Sequence, residues 1–211
     1  MKREIAKMLL EIKAVFLSPN EPFTWASGIK SPIYCDNRLI LSFPEVRTRI
    51  EKALAELIIQ KYPDVEALFG TATAGIAHAA IAADILKIPM GYVRTSSKEH
   101  GRNNQIEGRI VLKEKVVIVE DLISTAGSVG EIVNILRESG VEVLGIVSIF
   151  TYGMQKGIDC LKDNNITNFS LTDFNTLIDV AAMEGYISKQ DITKCIAFQK
   201  QPDSLEWMNQ S

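Results

Sequence analysis

The chain has 211 residues, of which 46% are hydrophobic and 23% charged, with a formal net charge of −3 and a pI near 5.5. That composition suits a soluble globular protein able to bury one large core, so a single domain over residues 1–211 is the expectation. A slightly acidic chain has no bulk attraction for nucleic acid or an anionic membrane, and neither is expected as a partner.

The opening MKREIAKMLLEIKAVFL mixes charged and apolar residues at helical spacing and lacks an uninterrupted signal-peptide core, which predicts an amphipathic helix kept in the mature protein. An aromatic, Pro-bearing loop follows, FTWASGIKSPIYCDNR from Phe23, and then a second helix beginning near Pro44. Residues 1–62 are therefore read as an N-terminal hood. From Asp64 onward short apolar runs, VEALFG, IPMGYV, KVVIVE, VEVLGIVSIF and ITNFSL, are rich in Val, Ile and Phe and bounded by turn residues, as strands buried on both faces are. Helix-like stretches near 75–87, 128–139 and 154–163 separate most of them. The alternation predicts an α/β fold over 63–172, with a mostly parallel central sheet flanked by helices. Within it, 95–109 is polar, carries Gly101 and Gly108 and lacks apolar periodicity, as a loop that closes over a site would. Residues 173–211 read as two short helices broken around Gly185.

No stretch approaches the roughly 20 apolar residues of a membrane span. The most apolar helix, IAHAAIAADIL from Ile76, carries Asp84 and His78, and the latter is expected to be packed and hydrogen-bonded rather than a ligand. Cys35, Cys160 and Cys195 are far apart, odd in number and without CxxC spacing, which fits reduced thiols in a cytoplasm.

The chemistry concentrates in VVIVEDLISTAGSV, from Val116. An apolar strand runs into two carboxylates, Glu120 and Asp121, at the end where parallel sheets bind ligands. A turn of small residues follows, Ser124, Thr125, Ala126, Gly127 and Ser128, leading into a helix whose N-terminus favours an anion. Two acids beside a phosphate cradle need hydroxyls that donate to them, or a divalent cation nearby. A sugar phosphate meets both demands, and neither a Walker A loop nor a GxGxxG turn is present. Taken alone, paired acids after a strand also suit a capped or solvated turn, and Arg94, Lys98 and His100 a solvated charged loop.

The segment resembles the phosphoribosyl-diphosphate signature of the type I phosphoribosyltransferases. The aromatic loop at Phe23, GTATAGIAHAA at Gly70, YVRTSSKEHGRNNQIEG at Tyr92 and EGYIS at Glu184 resemble, within that fold, the family that uses orotate. The resemblance implies the type I phosphoribosyltransferase fold, with an N-terminal hood. It also implies transfer of phosphoribosyl from 5-phosphoribosyl 1-diphosphate to orotate with Mg(2+), in a cytoplasmic homodimer. Glu120 and Asp121 would hold the ribose hydroxyls, and Leu122, Ile123, Ser124, Thr125, Ala126, Gly127 and Ser128 the 5-phosphate. Ser124 would also touch orotate. Arg94, Lys98 and His100 would grip the diphosphate, with Lys98, His100 and Asp121 as catalytic residues and the loop bearing Lys98 and His100 reaching into the partner's site. Lys30 is either a surface residue or the charge partner of the orotate carboxylate, and Phe23, Trp25 and Tyr34 are core aromatics or part of the base pocket. GTATAG is either a plain strand-to-helix turn or a diphosphate loop.

Two departures from the family pattern stand out. Ala126 replaces a frequent Gly, which costs nothing if its backbone is helical or extended. Thr95, Ser96 and Ser97 stand where a second lid Lys is usual, so either diphosphate binding is weaker or Arg102 takes its place. A phosphoribosyltransferase for another base should lack the aromatic loop combined with KEHG, and a non-catalytic regulator should carry a basic DNA-binding extension.

Overall fold

The computed structural model describes residues 1–25, 27–95 and 105–210. Helix α1 (Lys2–Glu11) is followed by short strands β1 (Val15–Leu17), β2 (Phe23–Thr24), β3 (Lys30–Ser31) and β4 (Ile33–Cys35), a 3-10 turn (Asn37–Ser42) and helix α2 (Pro44–Lys61). The repeating unit then begins, with β5 (Ala67–Thr71), α3 (Ala74–Leu86), β6 (Met90–Val93), β7 (Ile106–Glu107), β8 (Lys115–Ile123) and α4 (Gly127–Glu138). It continues through β9 (Glu142–Thr151), α5 (Gln155–Asp163) and β10 (Asn168–Asp173) to α6 (Phe174–Met183) and α7 (Asp191–Lys200), and a last 3-10 turn spans Glu206–Asn209.

The main sheet has the order β10-β9-β8-β5-β6-β7, parallel throughout except for the antiparallel edge pair β6/β7. Alternation along β8 splits the interior into two layers. Val117 and Val119 join the cluster made with α1, α2, α3 and α6, whereas Val116 and Ile118 join the one made with α4. Because both faces are covered, the central strands read as unbroken apolar runs, which is why they were visible in the sequence. Strand β7 was not visible there. Ile106 and Glu107 pair with Val93 and Tyr92, and the Arg94 amide donates to the Gln105 carbonyl at 2.9 Å, so the end of the stretch read as a loop is sheet. A two-residue edge strand has no periodicity of its own to betray it.

Among the described residues, no helix is long and apolar enough to cross a membrane. The hood consists of the antiparallel pairs β1/β4 and β2/β3. Trp25, at its centre, packs edge-on against Tyr152 and Phe198 and donates from Nε1 to the Ile33 carbonyl at 3.2 Å. The C-terminal segment thus buttresses the hood: Phe198 packs in turn on the buried Trp207. His78 is fully buried and its Nδ1 lies 2.5 Å from Glu51 of α2, the packed, hydrogen-bonded histidine that its Ala-rich helix implied.

Candidate active site

The strand order locates a binding crevice before any side chain is considered. Strand β5 passes through α3 to β6 on one side, while β8 lies on its other side and leads away through β9 and β10, so the winding direction reverses between β5 and β8. Ligands bind at the carboxyl ends of the strands flanking such a reversal. Two loops meet there, Thr71–Ala74 after β5, with a cis Ala72–Thr73 peptide, and the turn after β8. Gly75 lets them come together, because a Cβ on it would run into the Thr71 hydroxyl and lie 2.5 Å from the Val119 carbonyl oxygen.

Glu120 and Asp121 end the buried part of β8, both half-buried. The Asp121 amide donates to Glu120 Oε1 at 2.9 Å, and the Asp121 carbonyl accepts from Asn37 Nδ2 at 2.8 Å. Asn37 is only 1% exposed, so the hood fixes the backbone of the acid pair from above. Burial, reinforced by hydrogen bonding to and repulsion from Asp121, pushes the Glu120 carboxyl up to about 8. The protonated form of Glu120 is therefore favoured at neutral pH.

Beyond the acids, Glu120 and the stretch Leu122–Val129 line a small cup of about 130 Å³ at the start of α4. The cup contains every residue proposed from the sequence for the phosphate: Leu122, Ile123, Ser124, Thr125, Ala126, Gly127 and Ser128. Its backbone departs from expectation at Ala126, which has φ +60° and ψ +7°, the left-handed region, and not a helical or extended conformation. The penalty that the sequence reading set aside is thus present, and burial of the Ala126 methyl among Val129 and its neighbours offsets part of it.

A second cavity of about 210 Å³ shares Leu122 and Ser124 with the cup and is otherwise walled by Trp25, Tyr34, Cys35 and Tyr152. It has the aromatic and apolar walls that a planar ring requires. Trp25 and Tyr34 line it, whereas Phe23 packs behind Tyr34 with ring centroids 5.9 Å apart. The Cys35 thiol is raised by burial and then by the nearby Asp121 and Asp36 carboxylates, which makes it an inert wall rather than a nucleophile.

The predicted cations are placed differently. Arg94 lies just beyond β6, with Nη2 3.3 Å from both Tyr92 Oη and Glu107 Oε1 and with its buried Nε lacking a partner among the described residues. Lys30 does not line the ring-sized cavity; its ammonium donates to the Thr24 hydroxyl at 2.7 Å. Lys98, His100 and Arg102 lie outside the described residues. Among the described residues, no group of three or more His, Cys, Asp and Glu could cage a metal ion.

Residues 42–178 match the Phosphoribosyl transferase domain. The chain belongs to the phosphoribosyltransferase family. Orotate phosphoribosyltransferase from Halalkalibacterium halodurans is 52% identical over 210 residues, 100% of both chains, and the Bacillus cereus strain B4264 protein of that name is 54% identical over 208 residues, 99% of each. Among solved structures, orotate phosphoribosyltransferase from Aeropyrum pernix superposes with a TM-score of 0.75, with 28% identity, over 87% of this chain and 99% of that one. The fold of this phosphoribosyltransferase is accordingly the type I fold. Its crevice also involves Asn37 and Tyr152, which the sequence did not single out, and Cys35, read there only as a reduced thiol. Tyr152 could have been found from its position just past β9, beside β8 at the carboxyl edge. Asn37 carries no local signal, since its partner is 84 residues away.

Proposed function

We propose that this phosphoribosyltransferase transfers the phosphoribosyl group of 5-phosphoribosyl 1-diphosphate to orotate, giving orotidine 5-monophosphate and diphosphate in pyrimidine (UMP) biosynthesis. The observation that carries this reading is the pair of cavities sharing Leu122 and Ser124 beside the two acids, one cup-shaped and polar, the other aromatic and ring-sized. A ribose 5-phosphate spans that arrangement, with the phosphate in the cup, the 2- and 3-hydroxyls donating to Glu120 and Asp121, and C1 turned toward the base. Relatives at 52% and 54% identity over essentially the full length are named for this activity.

As diphosphate leaves, positive charge builds on the ribose ring and negative charge on the departing oxygens. In this reading the α4 amides hold the phosphate, the acid pair fixes the ring, and Arg94, together with Lys98 and His100 of the neighbouring subunit, meets the leaving group. No side chain need attack covalently; positioning and electrostatics suffice. The adjacent carboxylates Glu120 and Asp121 are oxygen donors of the kind Mg(2+) takes, and they are the residues that would face the ion together with the substrate's own phosphates. Such an ion would supply neutralisation of charge on the leaving diphosphate. The remaining parts of the reading are a cytoplasmic setting, which the three free thiols suit, and a homodimer in which Lys98 and His100 serve the neighbouring site.

The test is turnover of orotate by the purified protein with phosphoribosyl diphosphate and Mg(2+), followed by orotate absorbance and diphosphate release, against adenine, hypoxanthine and uracil. Selective consumption of orotate is expected. Turnover of another base would redirect the substrate assignment, and diphosphate-substrate binding without turnover would favour a sensor. Asp121→Asn should weaken ribose binding and lower turnover while the protein stays folded.

A further inference from the structure

Orotate differs from uracil by a carboxylate on the ring carbon adjacent to the nitrogen that forms the glycosidic bond. Wherever the ring lies, that carboxylate must therefore sit close to C1 of the ribose and to the acids that hold the sugar. A negative group brought there requires a cation, and the ring-sized cavity has none among Trp25, Tyr34, Cys35, Leu122, Ser124 and Tyr152. Lys30 is turned toward Thr24, and Arg94 is held by Tyr92 and Glu107 beyond β6, two strands from β8.

Arg38 has the required position. It follows Asn37, whose amide is bonded to the Asp121 carbonyl, and strand β4, which contributes Tyr34 and Cys35 to the cavity, ends three residues before it. After Asp36, the Tyr34 and Asp121 side chains also favour its charge, so the guanidinium lies within electrostatic reach of the base wall and of the acid pair. Asp36 accepts from Nε at 2.6 Å and from Nη2 at 2.9 Å, a two-point grip that fixes the plane of the group. Nη1 has no partner among the described residues, and the side chain is 64% exposed, so a donor edge remains available to a ligand.

We propose that Arg38 is the specificity-determining residue that recognises the carboxylate of orotate, with Asp36 as the residue that positions it. This deepens the reading of the acceptor as orotate and rests on it. Arg38 supplies the charge for which Lys30 is one of two readings of the sequence, and it separates orotate from uracil, which would gain nothing from the guanidinium.

The experiment is steady-state kinetics of the full chain and of Arg38→Ala, Arg38→Lys and Lys30→Ala, with orotate, uracil and phosphoribosyl diphosphate each varied. For Arg38→Ala the KM for orotate should rise about ten- to hundred-fold, as loss of a charged hydrogen bond does. The KM for phosphoribosyl diphosphate and the residual kcat/KM for uracil should stay within about twofold, which a merely structural role would not allow. Arg38→Lys should recover part of the orotate affinity, and Lys30→Ala should resemble the parent. The proposal is overturned if Lys30→Ala shows the orotate-selective loss instead. It is equally overturned if Arg38→Ala acts on phosphoribosyl diphosphate or leaves the orotate-to-uracil ratio unchanged. Absence of orotate turnover in the parent protein would be a different failure, that of the functional reading itself.

Discussion

At the scale of single residues, the phosphate turn is held by two backbone constraints. Ala126 is left-handed and 6% exposed, so it bears the steric cost of positive φ while burying its methyl. Replacing it with Gly relieves about 1–2 kcal/mol of strain but loses about 0.8 kcal/mol of burial and 0.5–1 kcal/mol of chain entropy. Ala126→Gly should therefore melt close to the parent, whereas Ala126→Val, with a β-branch at that φ, should lose about 1–3 kcal/mol. Equal melting temperatures for the two variants would contradict the left-handed assignment. Gly157, in the first turn of α5, supports the turn from the other side: a Cβ on it would collide with the Ser124 carbonyl oxygen. Gly157→Ala should push the turn out of place and raise the KM for phosphoribosyl diphosphate about tenfold or more, since small misplacements are costly in positioned catalysis. Unchanged kinetics would mean that the turn yields without consequence.

At the scale of elements, β8 delivers a carboxyl into a site that resists its charge. Glu120 titrates near 8 in the folded protein against an ordinary value of 4.5, so between those values the folded chain holds a proton that the unfolded chain has lost. Stability must then fall as pH rises through that window. Thermal melts from pH 5 to 8.5 should show a downward slope that Glu120→Gln flattens, and the same slope in both proteins would exclude Glu120 as its source. This strand was legible in the sequence because burial on both faces leaves a continuous apolar run, and its acids were legible because they break that run at a ligand-binding edge. The hood was legible only as an aromatic loop, since strands of two or three residues have no periodicity. Asn37 and Tyr152 acquire their roles from contacts with distant strands, and the left-handed Ala126 from packing that no local pattern encodes. Arg94 was read as a diphosphate ligand; its contacts with Tyr92 and Glu107 come from the β6/β7 pairing.

At the scale of the whole molecule, the reversal between β5 and β8 gathers phosphate cup, acid pair and base cavity on one edge of the sheet, under a hood braced by the C-terminal Phe198 and Trp207. Lys98 and His100 belong to a segment that the proposed homodimer would deliver from the neighbouring subunit, and subunit mixing tests that arrangement directly. Lys98→Ala and Asp121→Asn should each be nearly inactive alone, one lacking the leaving-group cation and the other the ribose anchor. If Lys98 acts across the dimer, a mixed pair contains one site with both substitutions and one with neither. Random pairing of equal amounts makes half the dimers mixed, so the mixture should recover roughly a quarter of the parent rate after subunit exchange. If Lys98 instead serves its own subunit, every site in every dimer carries one defect and no activity returns. Sedimentation of the same samples establishes whether dimers form, so that a silent mixture of proven dimers would reject the shared site, and a monomer would reject the dimer itself.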